Sequence, residues 1–147
     1  MFKFRYQKIL DLRMDKEEEV KRELGKAVNV LNTLENKLTE VMNKKKDFDI
    51  MFSESLNKGI SAHDLAYFNS YVDVIKKEII NAKEDISKKK EEIGLIKRQL
   101  HEAMKKRKIM EKIKENDHEA FMEEEKLKEA KEIDEIVTYM SSKSEGD

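Results

Sequence analysis

Stepped alternately by three and four residues from Val20, the sequence meets Val20, Leu24, Ala27, Leu31, Leu34, Leu38, Val41, Lys45, Phe48 and Phe52, nine of ten of them apolar. The same stepping from Leu65 meets Leu65, Phe68, Val72, Ile75, Ile79, Ala82, Ile86, Lys89, Ile93, Ile96, Leu100, Ala103, Arg107 and Met110, where twelve of fourteen are apolar. A mean spacing of about 3.5 residues keeps a stripe on a partner helix only when the two wind around each other left-handedly. The 147 residues include no proline, so nothing interrupts either helix by removing a backbone donor and clashing with the preceding turn. The pattern predicts an all-α fold of two long helices in an antiparallel two-stranded coiled-coil hairpin.

Between the stripes, Asn57 to Asp64 carries stop and start signals. Gly59 can adopt the left-handed conformation that ends a helix, Ile60 can supply the apolar contact that accompanies it, and Ser61 with Asp64 resembles a capping box. We expect one elongated domain over residues 1–140, with helix 1 at about 6–56, a turn at 57–61 and helix 2 at about 62–140. Residues 141–147 are expected to be a disordered polar tail. Beyond Met110 the strict register fails, and a weaker stripe of Ile113, Ala120, Leu127, Ala130 and Val137 continues one phase over. Lys45, Lys89 and Arg107 are seam exceptions whose cationic heads are expected to reach past the interface into water.

Net charge is −1, with 31 basic against 32 acidic residues, so the whole molecule exerts little pull on nucleic acid or anionic membranes. Residues 88–114 are locally basic, eleven against four, and residues 115–135 are acidic, ten against three. The basic stretch contains no aromatic residue for base stacking, which argues against nucleic acid as a partner. Cysteine is absent and no apolar run approaches the roughly 18 residues of a membrane span. The expectation is a cytoplasmic chain with no direct membrane insertion.

Catalysis needs a concave, partly dry site, and a two-helix arm has almost no interior to hold one. The sequence carries no glycine-rich phosphate loop, no nucleophile elbow and no zinc motif, and His63, His101 and His118 are scattered. We read no enzyme, no cofactor and no metal site. Glu17, Glu18 and Glu19, like Glu123, Glu124 and Glu125, read as solvated helix faces paired with nearby lysines. Aromatic residues are more telling. Phe48, Phe52, Tyr67, Phe68 and Tyr71 lie near the turn, and Phe2, Phe4 and Tyr6 lie together at the N-terminus among Lys3, Arg5 and Lys8. Tyr67, Tyr71, Val74 and Ile50 do not fit the seam, so they form either a docking surface or a thickened core at the tip. The N-terminal basic-aromatic segment either packs on helix 2 near Met110 to Phe121 or inserts into a partner.

The opening MFKFRYQKILDLR, the charged helix with Val20, Leu24 and Ala27, and the turn Gly59-Ile60-Ser61 leading to Leu65, Phe68 and Tyr71 resemble the flagellar export protein FliJ family over the whole chain. That resemblance implies a non-enzymatic component of the bacterial flagellar type III export apparatus, similar in shape to the stalk of a rotary ATPase. It implies three partners: the flagellar export ATPase hexamer, the cytoplasmic domain of the export gate, and export chaperones. It also implies a place in the cytoplasm, peripheral to the inner membrane at the flagellar base. Carried over, the gate-contacting residues are Val41, Phe48, Tyr71 and Ile75, while Lys44 and Ala82 depart from residue types found in some members. For the ATPase, the resemblance and the basic-aromatic pattern together point to Phe2, Phe4, Arg5, Tyr6 and Arg13. Three rival readings stay open: a self-associating structural coiled coil, the equivalent stalk of a virulence type III secretion system and, ranked last, a basic coiled coil acting on nucleic acid or membranes.

Overall fold

The helices begin and end close to where the local signals put them. A computed structural model describes residues 1–146, and among them the regular elements are α1, Gln7–Lys58, and α2, Ala62–Glu145, of 52 and 84 residues. The chain is all-α, and the two helices pack against one another as an antiparallel coiled-coil hairpin. At the C-terminus of α1, Gly59 has φ +84°, and its N–H donates to the Leu56 carbonyl at 3.2 Å. The Ser61 hydroxyl then accepts the Asp64 N–H at 3.1 Å and caps α2. A Cβ built on Gly59 meets nothing within 4 Å, so Gly59→Ala carries only the backbone penalty. Its expected cost is about 1 kcal/mol in urea denaturation followed by helicity.

Packing groups the residues into two units, Glu19–His101 and Met1–Glu18 with the chain from Glu102 onward. Within the first, Val20, Ala27, Ile93 and Ile96 form one buried cluster, flanked by Leu24, Leu31 and Leu100. Val41, Phe48 and Ile75 form a second, flanked by Phe68, Tyr71, Val72 and Ile79. Early α1 residues meet late α2 residues and later ones meet earlier ones, which is antiparallel order. Lys45 and Lys89 hold their stems at the half-buried seam and turn their ammonium groups to Asp49 at 2.9 Å and Glu92 at 2.6 Å, each on its own helix. Leu65 is a seam position by spacing, yet it is exposed together with Leu56 across the turn. Both flank the reversal, where one more turn of partner helix is missing on either side.

In the other unit, Phe4, Leu10 and Ala103 are the buried apolar residues. Met110, Ile113 and Phe121 are half-buried, whereas every residue from Met122 to Gly146 is exposed. The weaker stripe expected beyond Met110 is therefore covered at Ile113, while Ala120, Leu127, Ala130 and Val137 face solvent. In place of the tail expected from 141, α2 continues through Glu145, and Gly146 N–H bonds the Ser142 carbonyl at 3.1 Å. Nothing from Ser141 to Glu145 breaks the i to i−4 ladder, and glycine enters only at Gly146. Asp147 lies outside the described residues.

Candidate functional site

Near the turn, side chains sort into a core and an outer face. Phe48 stacks on Tyr71 with ring centroids 4.5 Å apart and on Phe68 at 5.3 Å, and Phe52 meets Phe68 at 5.1 Å. Beneath them Ile75 is 0% exposed. Val41, Phe48 and Ile75, three of the four residues assigned to gate contact, are thus core residues, and a partner reaches them only if the helices separate. Tyr71 is half-buried, with one ring face in the core and the Lys44 ammonium 5.5 Å from its centroid. Tyr71 and then Glu78 hold the Lys44 pKa above its ordinary value. Tyr67, Tyr71 and Val74 are spaced i, i+4, i+7 and share a face of α2, on which Tyr67 is 67% exposed and Val74 is open to solvent. On α1, Ile50 and Met42 are exposed and line a shallow groove with Lys45, Lys46, Asp49 and Ile79.

In the unit that carries the N-terminus, residues 1–6 precede α1 and lie along α2. Phe2 meets His118 edge-on at 5.0 Å and Phe121 at 5.5 Å, so the segment packs on helix 2 near the stretch expected. Phe4 is buried and meets Tyr6 edge-on at 5.9 Å, and the Arg5 guanidinium lies 5.6 Å from the Tyr6 ring centroid. Arg5, Tyr6 and Arg13 are exposed, so of the five residues assigned to the ATPase these three present side chains outward.

Sequence reasoning missed one feature of this unit. Glu17 is 4% exposed, not solvated, and is the one buried charged side chain among the described residues. Arg107 Nε donates to its Oε2 and Nη2 to its Oε1 at 3.4 Å, while Nη1 donates to both oxygens of Glu111 at 2.9 Å. Glu17 first and then Glu111 push the Arg107 pKa above its ordinary value. The signal was available, because one more step of three back from Val20 lands on Glu17, and Arg107 already stood in the opposing stripe. Lys114 Nζ donates to the Gln7 side-chain oxygen at 2.8 Å as a second tie between the helices.

Among the described residues, no group of three His, Cys, Asp or Glu side chains is placed to hold a metal ion, and no helix is long and apolar enough to cross a membrane. The sequence profile of the family described as flagellar FliJ protein matches residues 2–146. The chain belongs to the FliJ family. As a FliJ-family member it is a component of a type III export apparatus, and the family's role there is non-catalytic. None of the curated proteins compared with it matches. A solved structure from Chlamydia trachomatis, described as a YscO homolog, is similar with a TM-score of 0.48 and 20% identity, covering 100% of this chain and 99% of that one.

Proposed function

We propose that this FliJ-family protein is a stalk that binds the flagellar export ATPase hexamer through the unit holding both chain termini. In this reading the outer face near the turn meets the cytoplasmic domain of the export gate, and export chaperones dock on the same protein. It works in the cytoplasm, held at the inner membrane at the flagellar base by those partners. The observation that carries the reading is the family match, which extends over residues 2–146 and so includes both exposed surfaces.

The chemistry of the surfaces supports it. Arg5, Tyr6 and Arg13 offer cationic and aromatic groups of the kind that anchor protein interfaces. On α2, Ala130, Ile133, Val137 and Met140 recur at helical spacing and are all exposed. That stripe suits a partner supplying an apolar groove, with Glu and Asp around it selecting basic rims. Near the turn, Tyr67, Tyr71 and Val74 offer an i, i+4, i+7 set of anchors for the gate, a set that burial favours over Val41, Phe48 and Ile75. No chemistry on this chain is required. A ligand that binds the assembled ATPase ring better than its free subunits shifts the equilibrium toward the ring.

The test is export-ATPase activity and hexamer formation with and without this protein, using Arg5→Glu with Arg13→Glu as the altered form. Both arginines are exposed, so helicity is expected to stay unchanged while affinity for the ATPase falls roughly tenfold or more. An ATPase indifferent to the wild-type protein removes the stalk reading, and a mass that rises with concentration then favours a self-associating coiled coil.

A further inference from the structure

The unit that carries the N-terminus is held together differently from its neighbour. Its buried apolar side chains are Phe4, Leu10 and Ala103, whereas residues 19–101 bury Val20, Ala27, Val41, Phe48, Ile75, Ala82, Ile86, Ile93 and Ile96. Its polar ties from α1 to α2 include Glu17 with Arg107 and Gln7 with Lys114. The Lys114 tie joins a neutral amide to a flexible lysine. The Arg107 tie joins a buried carboxylate to a guanidinium that uses its planar fork on two carboxylates at once.

We infer that the Glu17–Arg107 pair is a clasp that keeps residues 1–18 closed on α2, and that the clasp can open while residues 19–101 stay folded. Local opening of this kind is drawn from regions with few buried apolar contacts, which describes this unit and not the other. Opening has a defined consequence, because Phe2 leaves His118 and Phe121, and Phe4 leaves its buried site. The clasp therefore controls whether Phe2 lies on α2 and Phe4 stays buried, or both rings are free to meet something else. The inference stands on the geometry alone and does not depend on the export reading.

Its energetics are asymmetric. Removing one member of a buried ion pair takes from the other charge its partner across the helices, whereas replacing both with apolar side chains of similar volume is close to neutral or stabilising. Arg107→Leu should therefore open the clasp, and adding Glu17→Leu should close it again. The readout is amide hydrogen exchange of the intact chain, resolved along the sequence. In Arg107→Leu, amides of residues 7–17 are expected to exchange at least about tenfold faster than in wild type, while those of residues 20–31 and 68–82 keep their rates. In the double variant, wild-type protection of residues 7–17 is expected to return. As an independent readout, spin labels on cysteines placed at the exposed positions Lys8 and Lys112 can be introduced cleanly, because the chain has no cysteine of its own. One narrow distance distribution is expected for wild type and the double variant, and a broad one for Arg107→Leu. Unchanged protection and an unchanged distance in Arg107→Leu would overturn the clasp, as would equal loss of protection in residues 20–31, which would make the opening global. Failure of Glu17→Leu to restore protection would show that the lesion is not the loss of Arg107 from the Glu17 carboxylate, and would overturn it too.

Discussion

Ile75→Ala is expected to lower stability to urea by about 3 kcal/mol. Ile75 is 0% exposed and sits between Val41 and Phe48 with Val72 and Ile79 around it, so removing three carbons loses their transfer energy and leaves a hole. A slender pair of helices has few neighbours with which to fill that hole, and the aromatic stack of Phe48, Phe68 and Tyr71 above it has limited freedom to collapse inward. The measurement is urea denaturation followed by circular dichroism, comparing midpoints at a common slope. The same substitution bears on the proposed gate binding. If Ile75→Ala weakens a partner's binding in proportion to the lost folded fraction, the residue acts through the core. Tyr67→Ala, at an exposed position, should leave the urea midpoint nearly unchanged. Loss of gate binding in that variant identifies the outer face as the contact, and wild-type binding removes Tyr67 from it.

Val20→Asp is expected to cost at least about 3 kcal/mol, and it is informative because of what lies three residues earlier. Both Glu17 and Val20 face the seam, at 4% and 1% exposure. Glu17 carries its charge there because Arg107 meets it with two nitrogens. Val20 packs with Ala27, Ile93 and Ile96 and the flanking leucines, all of them apolar. An aspartate side chain is also too short to carry its charge past the seam into water, unlike the long stems of Lys45 and Lys89. The seam is thus expected to tolerate charge by partner, position by position. A Val20→Asp variant with a wild-type urea midpoint would contradict that.

Much of this was legible in the sequence, for identifiable reasons. The stripes from Val20 to Phe52 and from Phe68 to Met110 coincide with buried or half-buried positions throughout, because a period of about 3.5 leaves no other face on which to place those side chains. Gly59 and Ser61 marked the reversal because positive φ and N-capping are local requirements that few residue types meet. Of the four off-seam residues Tyr67, Tyr71, Val74 and Ile50, three are exposed, whereas Tyr71 is half-buried against Phe48. For the N-terminal segment the sequence left two alternatives open, packing on helix 2 or insertion into a partner, because residues 1–6 lie outside the helix and follow no period, and the contacts of Phe2 with His118 and Phe121 decide for the first.

Sequence alone therefore determined the two helices, the seam and the reversal, which follow from backbone propensity and the repeat of apolar residues along one chain, but not the end of α2, which runs past the expected 140 to Glu145. Tertiary structure decided what depends on which groups meet across the helices. Glu17 became buried because Arg107 is opposite it, and Tyr71, off the seam by spacing, is half-buried because its ring stacks on Phe48. It also decided where cover stops, because the N-terminal segment reaches Phe121 and leaves the apolar residues beyond it in water. Burial is a property of pairs of segments, and a periodic pattern in one segment does not say where its partner ends.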